Sequence, residues 1–159
     1  MPNNGTTSVY RDDSVSIGET PVGKGVFSER SYPANAVIGE ITGDVVTNCP
    51  SGSRYSFEID DRTQLEPHAP FRYLNHSCEP NCEFDWFDDD GTNGDVAPMY
   101  LIALRDIWSG EELTIDYNWP AISAIPCHCA MESCRGWIVS AEELDSLVRT
   151  REDQRSNSR

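Results

Sequence analysis

Three cysteines stand in a C-x-C-x4-C spacing, Cys127-His128-Cys129-Ala130-Met131-Glu132-Ser133-Cys134. Cys127 and Cys129 are too close in sequence for an easy mutual disulfide, whereas thiolates so spaced can curl round one ion, and sulfur ligands suit zinc. Three ligands leave a tetrahedral site one short, so the fourth must come from Cys78, Cys82, Cys49 or a nearby histidine. Four thiolates would make the site closed and structural, with no open position for a catalytic water. The even count of six cysteines also allows three disulfides. Residues 1–13, however, show neither the basic stretch nor the apolar core of a secretion signal, which argues for a reducing, intracellular setting.

Two further segments carry chemistry. Arg72-Tyr73-Leu74-Asn75-His76-Ser77-Cys78-Glu79-Pro80-Asn81-Cys82 crowds polar groups between aromatics and a proline, the composition of a rigid knot. Gly110-Glu111-Glu112-Leu113-Thr114-Ile115-Asp116-Tyr117 reads as a turn feeding a strand that ends in a tyrosine. Upstream, Gly23-Lys24-Gly25 sets two glycines round the single lysine of the chain. Such glycines let backbone polar groups approach a ligand closely. No helix pattern follows them, which speaks against a dinucleotide-binding turn.

The elements that must position these residues are short strands. Apolar runs at 15–17, 22–27, 37–41, 55–59, 99–104 and 112–116 are each bounded by Gly, Pro, Asp or Asn, as in a compact β-rich domain. Residues 48–53 and 88–98 read as loops. One helix is expected late, with Ser140 and Glu143 as a capping box and Leu144, Leu147 and Val148 as its apolar stripe. After Thr150 the charged, serine-rich tail is expected to fray. The 159 residues allow one domain, or a small domain with an appendage, but not two full ones, and no window is apolar enough to span a membrane. Twelve basic against 27 acidic residues give a net charge of -15, which disfavours nucleic acid as a direct partner and suits a basic one. Seven of those acids, with no intervening base, fall between Glu79 and Asp95. Such a run is either a solvated loop or a means of steering a cationic substrate.

The order of these pieces, Gly23-Lys24-Gly25, then Asn75-His76-Ser77-Cys78-Glu79-Pro80-Asn81, then Gly110–Tyr117, then the cysteine trio followed by Arg135-Gly136, resembles the SET-domain protein lysine methyltransferases. The resemblance covers about residues 15–139. It implies a mostly β fold of small curved sheets around a pseudoknot, with a C-terminal zinc-bound segment and a short helix. The corresponding divisions are a flexible segment at 1–14, a SET catalytic domain at 15–120, a post-SET segment at 121–139, and a helix with polar tail at 140–159.

The resemblance also implies an activity, S-adenosylmethionine-dependent methyl transfer to a lysine ε-amine. It places that cofactor against the backbone of Lys24, Gly25 and His76 and against Asn75, with Trp137 packed over it or over the lysine channel. Tyr117 matches the active-site tyrosine, Tyr55 a second tyrosine of the channel, and Cys78 the fourth ligand of one structural zinc ion. Ile115 stands where the family usually carries Phe or Tyr. Strand alternation puts it on the same side as Tyr117, so its smaller apolar side chain is expected to leave room for products beyond monomethyl lysine. The implied partner is a basic protein with a target lysine, possible histones included, in the nucleus of a eukaryote or the cytoplasm of a microbe. The rival reading is a catalytically silent SET-fold binding module. It requires damage at Gly23, Gly25, Asn75 or Tyr117, and all four are intact. The chain departs from the family at Leu65-Glu66-Pro67-His68-Ala69-Pro70, where a run containing Gly-Asn usually leads into the motif.

Overall fold

The computed structural model describes residues 14–48, 53–86 and 97–156; Cys49 and most of the loop expected at 88–98 lie outside them. The strands in chain order are β1 (Val15–Thr20), β2 (Gly23–Ser28), β3 (Val37–Glu40), β4 (Gly43–Thr47), β5 (Phe57–Asp60), β6 (Thr63–Pro67), β7 (Asn75–His76), β8 (Cys82–Trp86), β9 (Met99–Ala103), β10 (Glu112–Ile115), β11 (Ile125–Pro126) and β12 (Trp137–Ile138). The helix α1 (Leu144–Ser156) follows. The fold is mostly β, as expected, and every expected apolar run holds a strand.

Four small sheets result, ordered β1-β2-β10-β7, β3-β9-β8, β4-β6-β5 and β11-β12. β1 and β2 form a hairpin, Val15 opposite Ser28 and Thr20 opposite Gly23. The Thr20 hydroxyl closes its turn by donating to the Gly23 carbonyl at 2.9 Å, and Gly23 adopts a left-handed φ of 119° that glycine tolerates. Alternation drives the core: Met99, Leu101 and Ala103 of β9 and Leu113 and Ile115 of β10 are all buried.

The knot forms where β10 runs antiparallel to β2 on one side and parallel to β7 on the other. Parallel neighbours cannot be joined by a tight turn, so this pairing unites segments far apart in the chain. Buried Asn81 secures it. Its Nδ2 donates to the Glu112 carbonyl at 2.8 Å, its Oδ1 accepts the Thr114 amide at 2.9 Å, and its own carbonyl accepts the Leu104 amide at 2.9 Å. The Ser77 amide adds a bond to the Ile115 carbonyl at 3.0 Å.

Two local expectations change. Part of the acidic run is strand: Glu83 and Asp85 occupy the outer face of β8, while Cys82, Phe84 and Trp86 turn inward. The tail also continues as helix to Ser156 instead of fraying after Thr150. There the Arg151 guanidinium stacks 3.9 Å from the centre of the Trp137 ring. At the other end of α1, the Glu143 amide bonds the Ser140 hydroxyl at 3.3 Å. The Glu143 carboxylate accepts the Ala121 amide at 2.8 Å, while the Ser140 amide donates to Trp119, so the cap ties the helix to residues 119–121. Leu147 is buried, but Val148 lies at the surface. Among the described residues, no helix is long and apolar enough to cross a membrane.

Candidate active site

Cys78, just beyond β7, meets Cys127, Cys129 and Cys134 so closely that all four Sγ atoms lie within 4.8 Å of one another. Cys78 and Cys127 are 3.8 Å apart. Tetrahedral zinc with bonds of about 2.3 Å sets its sulfur ligands about 3.8 Å apart, so the donor set fits. The loop curls through left-handed Ala130 (φ 58°) and Gly136 (φ 76°). This brings the Arg135 amide to Cys78 Sγ and the Gly136 amide to Cys134 Sγ, each at 3.4 Å, where they offset thiolate charge. Burial raises the Cys129 thiol, yet hydrogen bonds from the Cys78 and Met131 backbone outweigh it and draw the thiol down to about 7. Cys82, also open as a ligand on spacing, is instead buried in the core, which pushes its thiol up to about 12.

Beside the cluster lies a cavity of about 910 Å³, within the range of about 300–1,000 Å³ typical of small-molecule sites. Lys24, Tyr55, Asn75, His76 and Tyr117 line it. The Asn75 amide nitrogen bonds the Lys24 carbonyl at 3.0 Å and Glu112 Oε1 at 2.8 Å, fixing the β2 edge of the wall. Gly25 sits behind this wall. A Cβ there would stand 2.6 Å from Glu112 Oε1 and Thr20 Cγ2, so glycine permits the close approach of β2 to Asn75 and Glu112.

Besides Gly25, two expected wall residues lie elsewhere. Ile115 is 2% exposed in the apolar core and does not line the cavity. The pairing of β10 turns Leu113 and Ile115 inward, and Thr114 takes the cavity side. Trp137 is also off the wall, its ring occupied by Arg151. The aromatic in place is Trp119, whose ring centre lies 5.2 Å from that of Tyr117. Proximity to Tyr117 in sequence was the available signal for it.

Tyr117 is held twice. Its hydroxyl donates to the Leu74 carbonyl at 2.8 Å, and its amide donates to His76 Nδ1 at 3.1 Å. Burial above all, then neighbouring Tyr55 and Glu112, pushes the phenol up to about 12. The hydroxyl therefore stays protonated at neutral pH and is a donor, not a base. Burial likewise holds the His76 imidazole below its ordinary value, against the pull of Asp116.

Sequence reading assigned Arg72 no role. Its guanidinium lies 4.9 Å from the Tyr55 ring centre and 5.7 Å from that of Tyr73, whose ring also carries the Lys24 ammonium at 5.1 Å. The buried Arg72 Nε has no hydrogen-bond partner. Its place directly before Tyr73-Leu74-Asn75 was the clue. Cation and aromatic thus alternate along one wall, a firm support for an anionic group.

The sequence pattern of the SET domain matches residues 23–118. The chain belongs to the SET-domain family. Over 133 residues it is 33% identical to the Aspergillus fumigatus "Histone-lysine N-methyltransferase, H3 lysine-4 specific", covering 72% of this chain and 10% of that protein. To "Histone-lysine N-methyltransferase 2B" of Homo sapiens it is 32% identical over 133 residues, covering 73% of this chain and 5% of the relative. The SET chain therefore spans a tenth or less of the length of these relatives. Among solved structures, the "crystal structure of KRYPTONITE in complex with mCHG DNA and SAH" superposes with a TM-score of 0.68 at 26% identity, over 78% of this chain and 28% of that one.

Proposed function

We propose that this SET-domain chain is a protein-lysine N-methyltransferase, drawing on S-adenosylmethionine and acting on a lysine of a basic protein, histones foremost. One observation carries the reading: doubly held Tyr117 opens into the same cavity as Lys24, Asn75 and His76. The names of the histone-lysine methyltransferase relatives, and the SAH in the KRYPTONITE complex, support it.

Bound S-adenosylmethionine supplies an electrophilic sulfonium methyl group, so the protein has chiefly to align it with a neutral amine. Lys24, Asn75 and His76, which line the cavity, would hold the cofactor, and Arg72 and Lys24 would offer cationic groups to its carboxylate. Tyr55, Tyr117 and Trp119 present aromatic surface to the substrate ammonium. Their apolar surround also favours the neutral amine needed for attack. Tyr117 orients through its protonated hydroxyl. Cys78, Cys127, Cys129 and Cys134 would hold a zinc ion whose role would be structural, fixing the segment that walls the cavity. The net charge of -15 favours a cationic peptide over nucleic acid. A histone substrate would place this work in the nucleus.

The test is incubation with labelled methyl donor and a panel of basic proteins, histones and ribosomal proteins among them, followed by mass mapping. Label on a lysine ε-amine is expected. Zinc-replete, folded protein that labels no member of the panel would overturn the reading.

A further inference from the structure

A closed circuit of contacts begins and ends at Cys78. The Arg135 amide donates to Cys78 Sγ at 3.4 Å. Its side-chain Nη2 reaches both carboxylate oxygens of Asp116 at 2.8 Å. Asp116 immediately precedes Tyr117, so the path continues through the main chain. The Tyr117 amide donates to His76 Nδ1 at 3.1 Å, which leaves the ring proton on Nε2, 3.4 Å from Cys78 Sγ. The side chains of His76, Arg135 and Asp116 are 2%, 14% and 28% exposed, so solvent screens this circuit little.

We propose that Arg135 and Asp116 are positioning residues: with His76 they transmit the placement of the cysteine cluster to the backbone of Tyr117. Arg135 is well suited to the task. It follows the last cluster cysteine directly, so its main chain is fixed by the cluster and its side chain by Asp116, just beyond β10 and directly before Tyr117. The orientation of the phenol then depends on contacts beyond the Leu74 carbonyl. Outer groups that hold a metal ligand and a reacting group together act in this way. The inference rests on the methyltransferase reading for its kinetic consequence, but not for its structural one.

The test compares the parent with Arg135→Ala, Arg135→Lys and Asp116→Asn. Zinc per chain, S-adenosylhomocysteine affinity, kcat and peptide KM are measured, together with amide exchange resolved at Tyr117. In Arg135→Ala we expect one zinc per chain, affinity within about twofold of the parent, kcat lower by about tenfold or more with KM little changed, and faster exchange confined to Tyr117 and its neighbours. Asp116→Asn should follow the same pattern, and Arg135→Lys should recover much of the loss. Parental exchange at Tyr117 in zinc-loaded Arg135→Ala and Asp116→Asn would overturn the proposal. So would exchange that rises through every strand, since the pair would then only hold the fold. If the parent itself transfers no methyl group, the methyltransferase reading falls, and the exchange measurement still decides this one.

Discussion

Tyr117 owes its chemistry to where it is buried. Replacing it with Phe keeps the ring and removes one donor, leaving the Leu74 carbonyl without its 2.8 Å partner. The fold should survive at a cost of about 1 kcal/mol. Turnover should fall by about tenfold or more, equivalent to about 1.4 kcal/mol of barrier; kinetics on a mutant with a parental circular dichroism spectrum checks this. The raised ionisation of this phenol, to about 12, gives a second expectation. A tyrosine at its ordinary value of about 10 would be half ionised at that pH. Here burial disfavours the phenolate, so kcat should show no loss from Tyr117 ionisation through about pH 11. A downward limb near pH 10 that is present in the parent and missing in Tyr117→Phe would contradict this.

At the scale of elements, the cysteine cluster and α1 hold the segment that follows Tyr117. Cys129→Ser should lose zinc and raise amide exchange across residues 121–139, while β1, β2, β9 and β10 keep their protection, because the core they form does not draw on the cluster. Metal analysis and exchange mass spectrometry read both halves. Ser140→Ala removes the cap at Glu143 and should cost about 1 kcal/mol in a thermal melt. Sequence showed β9 and β10 clearly, since alternating buried residues leave a local trace. It hid β8 among acidic side chains that proved to be one face of a strand. It hid β7 because two residues carry no period and their partner is β10, nearly forty positions on. Tyr117 and the four cysteines were legible because motif and spacing name them. Alternation told that Ile115 and Thr114 face opposite ways, but only the pairing of β10 shows which of them meets the cavity. Trp119 and Trp137 flank the cluster segment alike in sequence; tertiary packing commits one to the cavity and the other to Arg151.

Over the whole molecule, the charge of -15 would supply a long-range field for the proposed basic substrate. The KM for an Arg- and Lys-rich peptide should therefore rise as ionic strength goes from about 0.05 to about 0.5 M. Joint replacement of Asp88, Asp89 and Asp90, which lie outside the described residues, by Asn should raise KM at the low end of that range and matter little at the high end. A salt-independent KM would return the acidic run to simple solvation. The scarcity of the opposite charge has its own consequence. The one lysine of the chain, Lys24, stands in the cavity wall with its ammonium over Tyr73. Amine-selective acylation consequently has a single side chain to mark, and the rate at which Lys24 is marked becomes a chemical footprint of whatever fills the cavity.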